Sequence, residues 1–422
     1  MNSRRVLNAI IAANRGGRPL GIASWCTAQP DVLRAIFRGH RDSAEAILIE
    51  ATCNQVNQDG GYTGMTPLAF RTFVEGLARQ TGVDAGRIIL GGDHLGPNPW
   101  RNLPANEAMA KARDMVRDYV EAGFTKIHLD ASMACADDLE LPDTLMAERA
   151  AELCAAAEAT GRGGQLTYVV GTEVPVPGGE TSVLDTLAVT RPELAERTYE
   201  LHRTAFAGKD LAEAAGRIVA IVVQPGVDFG NSQVFAFDRA KAAALSAAVS
   251  GIPDVVYEAH STDYQSPAAL AGLVASHFAI LKVGPELTFA FREAVFAMAE
   301  IEQRLMPVAG SGIADAIAGA MDADPRHWQN YIESGKQQQL MRLYGLSDRI
   351  RYYWPDPRVG VALAVLRENI DRSSVPPGLL AQFAGTMRLD DEALPLSDRI
   401  IQYKVGAIVA KYRAACGLDS LV

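Results

Sequence analysis

The chain has 422 residues, of which 48% are hydrophobic, 21% charged and 7% aromatic, a globular composition that excludes a disordered, collagen-like or coiled-coil protein. Its 40 Lys and Arg residues against 50 Asp and Glu residues give a formal charge of −10. This balance disfavours a nucleic-acid-binding or anionic-membrane surface, although a local basic cluster can still bind an anionic substrate. No run approaches the roughly 20 apolar residues of a membrane span, and no signal-peptide core is evident. We therefore expect a cytoplasmic protein that binds neither nucleic acid nor membrane.

Eight near-continuous apolar runs recur along the chain, as expected for parallel strands buried on both faces. They lie at Leu20–Cys26, Ala46–Thr52, Arg87–Asp93, Lys126–Ser132, Gln165–Glu173, Ile218–Gly226, Asp254–His260 and Phe278–Gly284. Helix-length segments such as Pro67–Thr81 and Asn106–Ala122 separate most of these runs. The alternation predicts a (β/α)₈ TIM barrel. We expect it to occupy residues 1–290, with residues 291–422 forming a helical C-terminal extension packed on the barrel.

Polar residues gather where these strands end. They include Ser24, Glu50, Asn54, Asp93, His94, Asp130, Ser132, Glu173, Gln224, Glu258, His260 and Lys282. The carboxyl ends of barrel strands form the rim that holds active sites, so this distribution favours an enzyme. The alternative interpretation is that strand ends meet turns, which are polar in any protein.

Two motifs indicate a metal site. In GGDHLGPNPW, Asp93 and His94 are adjacent at a strand end, so one side chain can bind a metal while the other faces a substrate. In YEAHSTDY, Glu258 and His260 are two residues apart and can point to the same side of one strand. Two imidazoles with carboxylates suit Zn²⁺ or a similar divalent ion. The alternative for the Asp-His pair is a capped turn with a buried, hydrogen-bonded histidine.

Other polar residues suit catalysis or substrate recognition. Glu173 ends the fifth run and is a candidate base or metal ligand, the alternative being a salt bridge to a neighbouring strand end. Asn54 and Gln55 follow the second run and suit recognition of hydroxyl groups. Several nucleotide-dependent chemistries are disfavoured, because the sequence has neither a GxxxxGK[ST] phosphate loop nor a GxGxxG turn after an early strand.

The motifs together resemble one family. ATCNQVNQDGGYTG, GGDHLGPNPW, KIHLDAS, GTEVPVPGGE, YEAHSTDY, KVGPELTFAF and LSDRIRYYW look like the Z-type subunits of class II D-tagatose-1,6-bisphosphate aldolase. The family includes D-tagatose 6-phosphate 4-epimerases and has also carried a tagatose-6-phosphate kinase label. We do not expect a kinase, because no nucleotide-binding motif is present.

The chain is also distantly similar to catalytic class II aldolases. That resemblance implies an acid/base role for Asp93 and zinc ligation by His94 and His260. Where those aldolases have His-Gly after strand six, this chain has Gln224-Pro225, and Gln is a poor zinc ligand. Either the site is rebuilt with Glu173, Asp130 or Glu258, or it is degenerate and the chain is non-catalytic.

Two functions follow from the resemblance. The first is metal-dependent epimerisation of tagatose 6-phosphate to fructose 6-phosphate by retro-aldol and aldol steps, without a nucleotide cofactor. Zn²⁺ is the expected ion, and Mn²⁺, Co²⁺ and Mg²⁺ remain alternatives. The second is a non-catalytic subunit that stabilises the aldolase's catalytic subunit. Either function is compatible with a homo-oligomer.

The phosphate site is expected after strands seven and eight, where barrels commonly bind phosphate. This placement predicts roles for Ser261, Thr262 and Lys282. Ser132 and Gln224 are further substrate-binding candidates at strand ends. Arg349 and Arg351 in LSDRIRYYW can reach the rim from the extension, the alternative being interdomain or surface salt bridges.

Overall fold

The computed structural model describes residues 2–173, 187–308, 310–387 and 393–418. Eight parallel strands close into a barrel in which neighbours along the chain are neighbours in the sheet and the last strand pairs with the first. The strands are β1 Ile22–Cys26, β2 Ile47–Thr52, β3 Ile88–Leu95, β4 Lys126–Leu129, β5 Thr167–Val170, β6 Ile218–Val223, β7 Val256–Ala259 and β8 Phe278–Val283. Each lies within or overlaps one predicted run, so the barrel prediction is confirmed. The proline-rich segment after Glu173 falls mostly outside the described residues.

Fifteen helices surround the described part of the barrel and continue beyond it. They are α1 Ser3–Arg15, α2 Pro30–His40, α3 Pro67–Gln80, α4 Ala105–Glu121, α5 Asp143–Ala157, α6 Pro192–Ala207, α7 Ala212–Ala215, α8 Ala243–Ala248, α9 Pro267–Ala275, α10 Pro285–Leu305, α11 Ile313–Ala323, α12 Gln338–Tyr344, α13 Pro357–Arg372, α14 Pro377–Ala384 and α15 Leu396–Cys416. Several begin with proline, whose missing N–H costs nothing at a helix start. Within the described ranges, no helix is long and apolar enough to cross a membrane.

The last helices pack directly on the barrel. Helix α15 contacts α2, α9 and α10, and α13 contacts both α10 and α11. Helix α10 starts immediately after β8 and runs without a break through position 290. The helical extension therefore continues directly from the final βα unit, and its helices are held by packing against the helices that surround the barrel.

The barrel interior changes from apolar to charged along its axis. At the amino-terminal end, Leu7 and Ile10 of α1 pack against inward residues such as Ile22, Leu48 and Val256. Side chains two positions apart share one face of a strand. The next inward layer is therefore polar, formed by Ser24, Glu50, Glu258 and Lys282 together with Lys126. The sequence pattern thus places ionisable groups directly beneath the barrel mouth.

Candidate functional site

A closed network of buried charges forms the floor of the site. The Lys126 Nζ lies 2.6 Å from Glu50 Oε1 and 2.7 Å from Glu258 Oε2, and all three side chains are inaccessible to solvent. Lys282 also pairs with Glu50, lies 2.7 Å from Asp93 Oδ1 and lies 3.6 Å from Glu258 Oε1. Each lysine therefore bridges carboxylates that come from different strands.

The network keeps its members ionised. Burial opposes the charge on Glu50, but Lys126 and Lys282 outweigh it and lower the pKa of that carboxyl. The same two lysines, acting against burial, hold the pKa of Glu258 well below its usual range. Burial likewise opposes the charge on Lys126, yet Glu258 and Glu50 raise its pKa. The lysines and carboxylates therefore stabilise one another's charges.

We expect Lys126→Met to lower the free energy of unfolding by about 3–5 kcal/mol, because it leaves Glu50 and Glu258 short of a buried counter-charge. The measurement is urea denaturation followed by circular dichroism. Lys111→Met is the matched control, because Lys111 pairs with Asp59 on the surface, where both side chains are about half exposed. Equal losses in the two variants would contradict the role assigned to the buried ammonium.

Three histidines converge above this network. The ring centroids of His94 and His260 lie 4.9 Å apart, those of His94 and His128 5.0 Å, and those of His128 and His260 5.3 Å. One potential ligand atom from each imidazole and one from Asp93 all lie within 4.8 Å of one another. Residues from β3, β4 and the end of β7 thus form a compact cluster of donor atoms.

Local backbone geometry on β3 helps to build this cluster. The β3–β4 pairing shifts register between Gly92 and Leu95, and His94 within the shift has a φ of 50°. Such irregularities re-aim side chains at the rims of barrels. Gly91 is needed for space, because a Cβ there would lie 2.4 Å from Glu50 Oε1. The absence of a side chain at Gly91 therefore leaves room for the Glu50 carboxylate in the floor of the site.

Each imidazole has one nitrogen bound to a carboxylate. His94 Nδ1 lies 2.7 Å from Asp130 Oδ2, and His260 Nε2 lies 3.0 Å from Glu258 Oε1. His128 Nδ1 lies 2.8 Å from Asp93 Oδ1. A carboxylate accepts hydrogen bonds, so each of these nitrogens carries the proton. The His94 backbone N–H also lies 3.2 Å from His128 Nδ1. The Asp93 carboxylate is closer to that nitrogen, and the Lys282 ammonium keeps the carboxylate ionised, so we assign the proton to His128 Nδ1.

The remaining nitrogens are His94 Nε2, His128 Nε2 and His260 Nδ1, and each is a lone-pair donor in the neutral imidazole. This is the arrangement of metal-binding histidines, whose outer nitrogen usually donates to a carboxylate. Burial opposes the charge on His94, but the Asp93 and Asp130 carboxylates raise its pKa, so His94 must release a proton when it binds a metal. His128 Nε2 and Asp93 Oδ2 are buried, and neither has a hydrogen-bond partner among the described residues. Buried polar atoms of this kind call for a ligand. The residues present therefore fit a divalent cation with nitrogen ligands.

The charges around the histidine cluster also favour a divalent cation. Four carboxylates surround the cluster or its floor, those of Glu50, Asp93, Asp130 and Glu258, against the two ammonium groups of Lys126 and Lys282. The difference is two negative charges before the imidazoles are counted. A divalent cation would neutralise that excess.

The cluster opens into a cavity of about 420 Å³ at the mouth of the barrel. Asp93, His94, His260 and Lys282 line its inner end. Small-molecule sites commonly enclose roughly 300–1,000 Å³, so this cavity is large enough for a compact metabolite.

Sequence comparison identifies the chain's relatives. A family model described as D-tagatose-1,6-bisphosphate aldolase subunit GatZ/KbaZ-like matches residues 7–417. The chain belongs to this family. It is 47% identical to the D-tagatose-1,6-bisphosphate aldolase subunit GatZ of Salmonella enteritidis PT4, over 98% of this chain and 100% of the relative. It is similarly 47% identical to the subunit of the same name from Salmonella typhimurium, with the same coverage.

A solved structure supports the same assignment. The crystal structure of a probable tagatose 6 phosphate kinase from Sinorhizobium meliloti 1021 superposes with a TM-score of 0.87 at 45% identity. The match covers 94% of this chain and 100% of that one. The resemblance inferred from the motifs is therefore confirmed at the level of the family.

The structure brings eight of the predicted site residues of this GatZ/KbaZ-like chain to one cavity. They are Asn54, Gln55, Asp93, His94, His260, Ser261, Lys282 and Arg351. Asp130 and Glu258 stand one layer behind, where they accept hydrogen bonds from His94 and His260. Their placement suits residues that orient metal ligands.

The other predicted residues hold the surrounding structure. Glu173 is exposed and accepts a hydrogen bond from Thr190 Oγ1 at 2.7 Å. The Gln224 side chain accepts from the Gly226 and Val227 amides. Ser132, Thr262 and Arg349 bind Asp130, the Lys282 carbonyl and the face of Tyr331, respectively. None of these five predicted residues lines the cavity within the part of the chain that the structure describes.

His128 and Lys126 are the two main site residues that were not predicted from the sequence. A signal for both was present, because Lys126, His128 and Asp130 alternate along one strand. This is the same spacing of two that singled out Glu258 and His260.

Proposed function

We propose that this chain is a metal-dependent epimerase that inverts C4 of tagatose 6-phosphate to give fructose 6-phosphate. The observation that carries the proposal is the set of three imidazoles, each bound by one nitrogen to a carboxylate, which offer ligand atoms that lie with one from Asp93 within 4.8 Å of one another. Membership of a family named for tagatose-bisphosphate aldolase subunits supports the sugar class.

In this proposal His94, His128 and His260 hold the divalent cation, and Zn²⁺ is the ion that best suits three nitrogen ligands. When bound, such an ion supplies positive charge beside an oxygen that becomes negative during carbon–carbon bond cleavage. Catalytic class II aldolases have a histidine after strand six, where this chain has Gln224. In this proposal His128 supplies the third imidazole instead. Asp130, Asp93 and Glu258 fix the tautomers of the three imidazoles.

The chain's own residues supply the proton transfers. C4 of a ketose is not acidified by the C2 carbonyl, so direct deprotonation at C4 is difficult. Asp93 instead takes the proton of the 4-hydroxyl, the C3–C4 bond breaks, and the electron pair moves to the C2 carbonyl to give an enediolate and an aldehyde. Rotation of the aldehyde and re-addition invert C4, and Asp93 returns the proton to the new 4-oxygen.

Lys282 prepares Asp93 for this task. Burial opposes the charge on Asp93, but His94, Lys282 and a hydrogen bond from His128 outweigh it and hold its pKa well below the usual range. Asp93 is therefore ionised before substrate arrives. The ammonium 2.7 Å from Asp93 Oδ1 also positions the carboxylate at the inner end of the cavity.

The test is an assay of the purified chain alone with tagatose 6-phosphate, followed by coupled detection of fructose 6-phosphate. We expect turnover with added Zn²⁺, loss of turnover after chelation and recovery on restoring the ion. No turnover with any of Zn²⁺, Mn²⁺, Co²⁺ or Mg²⁺ would contradict the proposal.

A second candidate function is that of a non-catalytic subunit, because the relatives carry the printed name of an aldolase subunit. In that case the chain would stabilise a separate catalytic subunit. The same assay separates the two functions when it is repeated with a class II tagatose-bisphosphate aldolase catalytic subunit. Chain that is inert alone but prolongs the activity of that subunit would favour the second function.

A further inference from the structure

The helical extension forms one wall of the cavity. Arg351, Tyr352, Trp354 and Pro355 line it together with Tyr62 from the loop after β2. The rings of Tyr62 and Tyr352 meet edge-to-face with centroids 4.8 Å apart. The mouth of the barrel is therefore completed by residues that follow the barrel in sequence.

The usual phosphate position of a barrel is already occupied in this chain by a carboxylate. Barrels often bind phosphate at a helix start near strands seven and eight, where free amides point at the anion. Here Asp263 Oδ1 accepts from the Gly284 amide at 3.0 Å and from the Glu286 amide at 2.8 Å. A phosphate at the start of α10 would lose these amides and meet the Asp263 and Glu286 side chains. The anion must be bound elsewhere.

Two side chains with permanent cationic groups line the cavity in the described residues, Lys282 and Arg351. Lys282 is committed to Glu50, Asp93 and Glu258. Arg351 forms no salt bridge with any carboxylate in the described ranges. The cavity therefore has one guanidinium whose charge is not neutralised by an ion pair.

The geometry of Arg351 leaves part of its guanidinium available. Its Nη1 donates to the Ser347 carbonyl and to the Asp348 carbonyl at 3.0 Å, and its Nη2 donates to the Tyr352 hydroxyl at 2.9 Å. A guanidinium has five N–H donors, so the Nε hydrogen and one Nη2 hydrogen remain. In a guanidinium, Nε–H and the Nη2–H on the same side share one edge, and that edge matches the bidentate geometry of phosphate.

We propose that Arg351 is the phosphate-binding residue of the cavity and that the site accepts sugars carrying one phosphate group. This inference rests on the proposed function for the identity of the sugar. A second phosphate would meet the inner end of the cavity, where the lysine is held by carboxylates. The extension thus supplies specificity for a monophosphate.

The test is calorimetric titration of the full-length, Zn²⁺-loaded chain with inorganic phosphate as the non-reacting probe. We expect Arg351→Gln to weaken phosphate binding about 10- to 100-fold, as for loss of a charge-assisted hydrogen bond. The matched control is Arg358→Gln, because Arg358 is exposed on α13 and pairs with Asp356. Unchanged phosphate binding by Arg351→Gln would overturn the proposal.

Kinetics provide the second arm. Arg351→Gln should raise the KM for tagatose 6-phosphate and leave the metal content unchanged, and Arg351→Lys should recover part of the loss. Wild-type protein should bind tagatose 1,6-bisphosphate more weakly than the 6-phosphate, and tighter binding of the bisphosphate would refute the single-phosphate claim. Arg351-dependent phosphate binding without turnover would refute the epimerase proposal alone. Normal turnover and KM in Arg351→Gln would refute the role of Arg351 alone.

If Arg351→Gln does not fold, the phosphate titration is performed on Arg351→Lys instead. It retains the charge but not the two-donor edge, so it should bind phosphate more weakly than wild type. Equal affinity would overturn the proposal.

Discussion

His128→Ala is expected to abolish tight binding of the divalent cation and, with it, turnover. His128 is fully buried, and one of its ring nitrogens lies within 4.8 Å of a ring nitrogen from each of His94 and His260. Loss of an outer-layer partner alone typically weakens metal binding 10–100-fold, and loss of a ligand should cost more. The measurement is metal content per chain after dialysis, combined with the epimerase assay.

The matched control is His277→Asn. His277 hydrogen-bonds Asn14 at the opposite end of β8, and asparagine tolerates its positive φ of 69° better than most residues. We expect this variant to keep its metal. One equivalent of tightly held metal in His128→Ala would show that the cation is bound without the β4 histidine.

His128 also illustrates which parts of the fold and the site can be predicted from the sequence. The eight strands were predictable because each is buried on both faces and therefore reads as a continuous apolar run. The histidine at 128 sits within such a run, flanked by Ile127 and Leu129. Hydrophobic pattern alone therefore concealed it, although the alternation with Lys126 and Asp130 marked the inward face.

Other site residues could not be placed from the sequence for a different reason. Glu173 and Gln224 follow strand ends as the rim residues do, but their side chains are taken up by local partners, Thr190 and the amides of the next turn. Strand-end position fixes the neighbourhood of a side chain and not its direction. Arg351 was a candidate from the sequence and lines the cavity, but the loop after β2 that it meets there lies far away in sequence, and no local pattern identifies that contact.

Asp93→Asn is expected to keep the metal and lose turnover by about 10²–10⁴-fold, the usual contribution of a general base. Both recognised donors, His128 Nδ1 at 2.8 Å and Lys282 Nζ at 2.7 Å, approach the same oxygen, Oδ1. The amide oxygen of asparagine can occupy that position and preserve both contacts. His128 then keeps its tautomer, with Nε2 free for the ion.

The amide nitrogen takes the place of Oδ2, the oxygen that has no hydrogen-bond partner in the described residues. That atom lies 3.6 Å from His94 Nε2 and is the one left to receive the substrate's proton. An amide nitrogen cannot accept it, so cleavage of the C3–C4 bond should stall while phosphate binding remains. Asp59→Asn is the control, because it makes the same chemical change at a surface carboxylate paired with Lys111. Loss of metal in Asp93→Asn would reassign Asp93 as a ligand, and full activity would move the base to another residue.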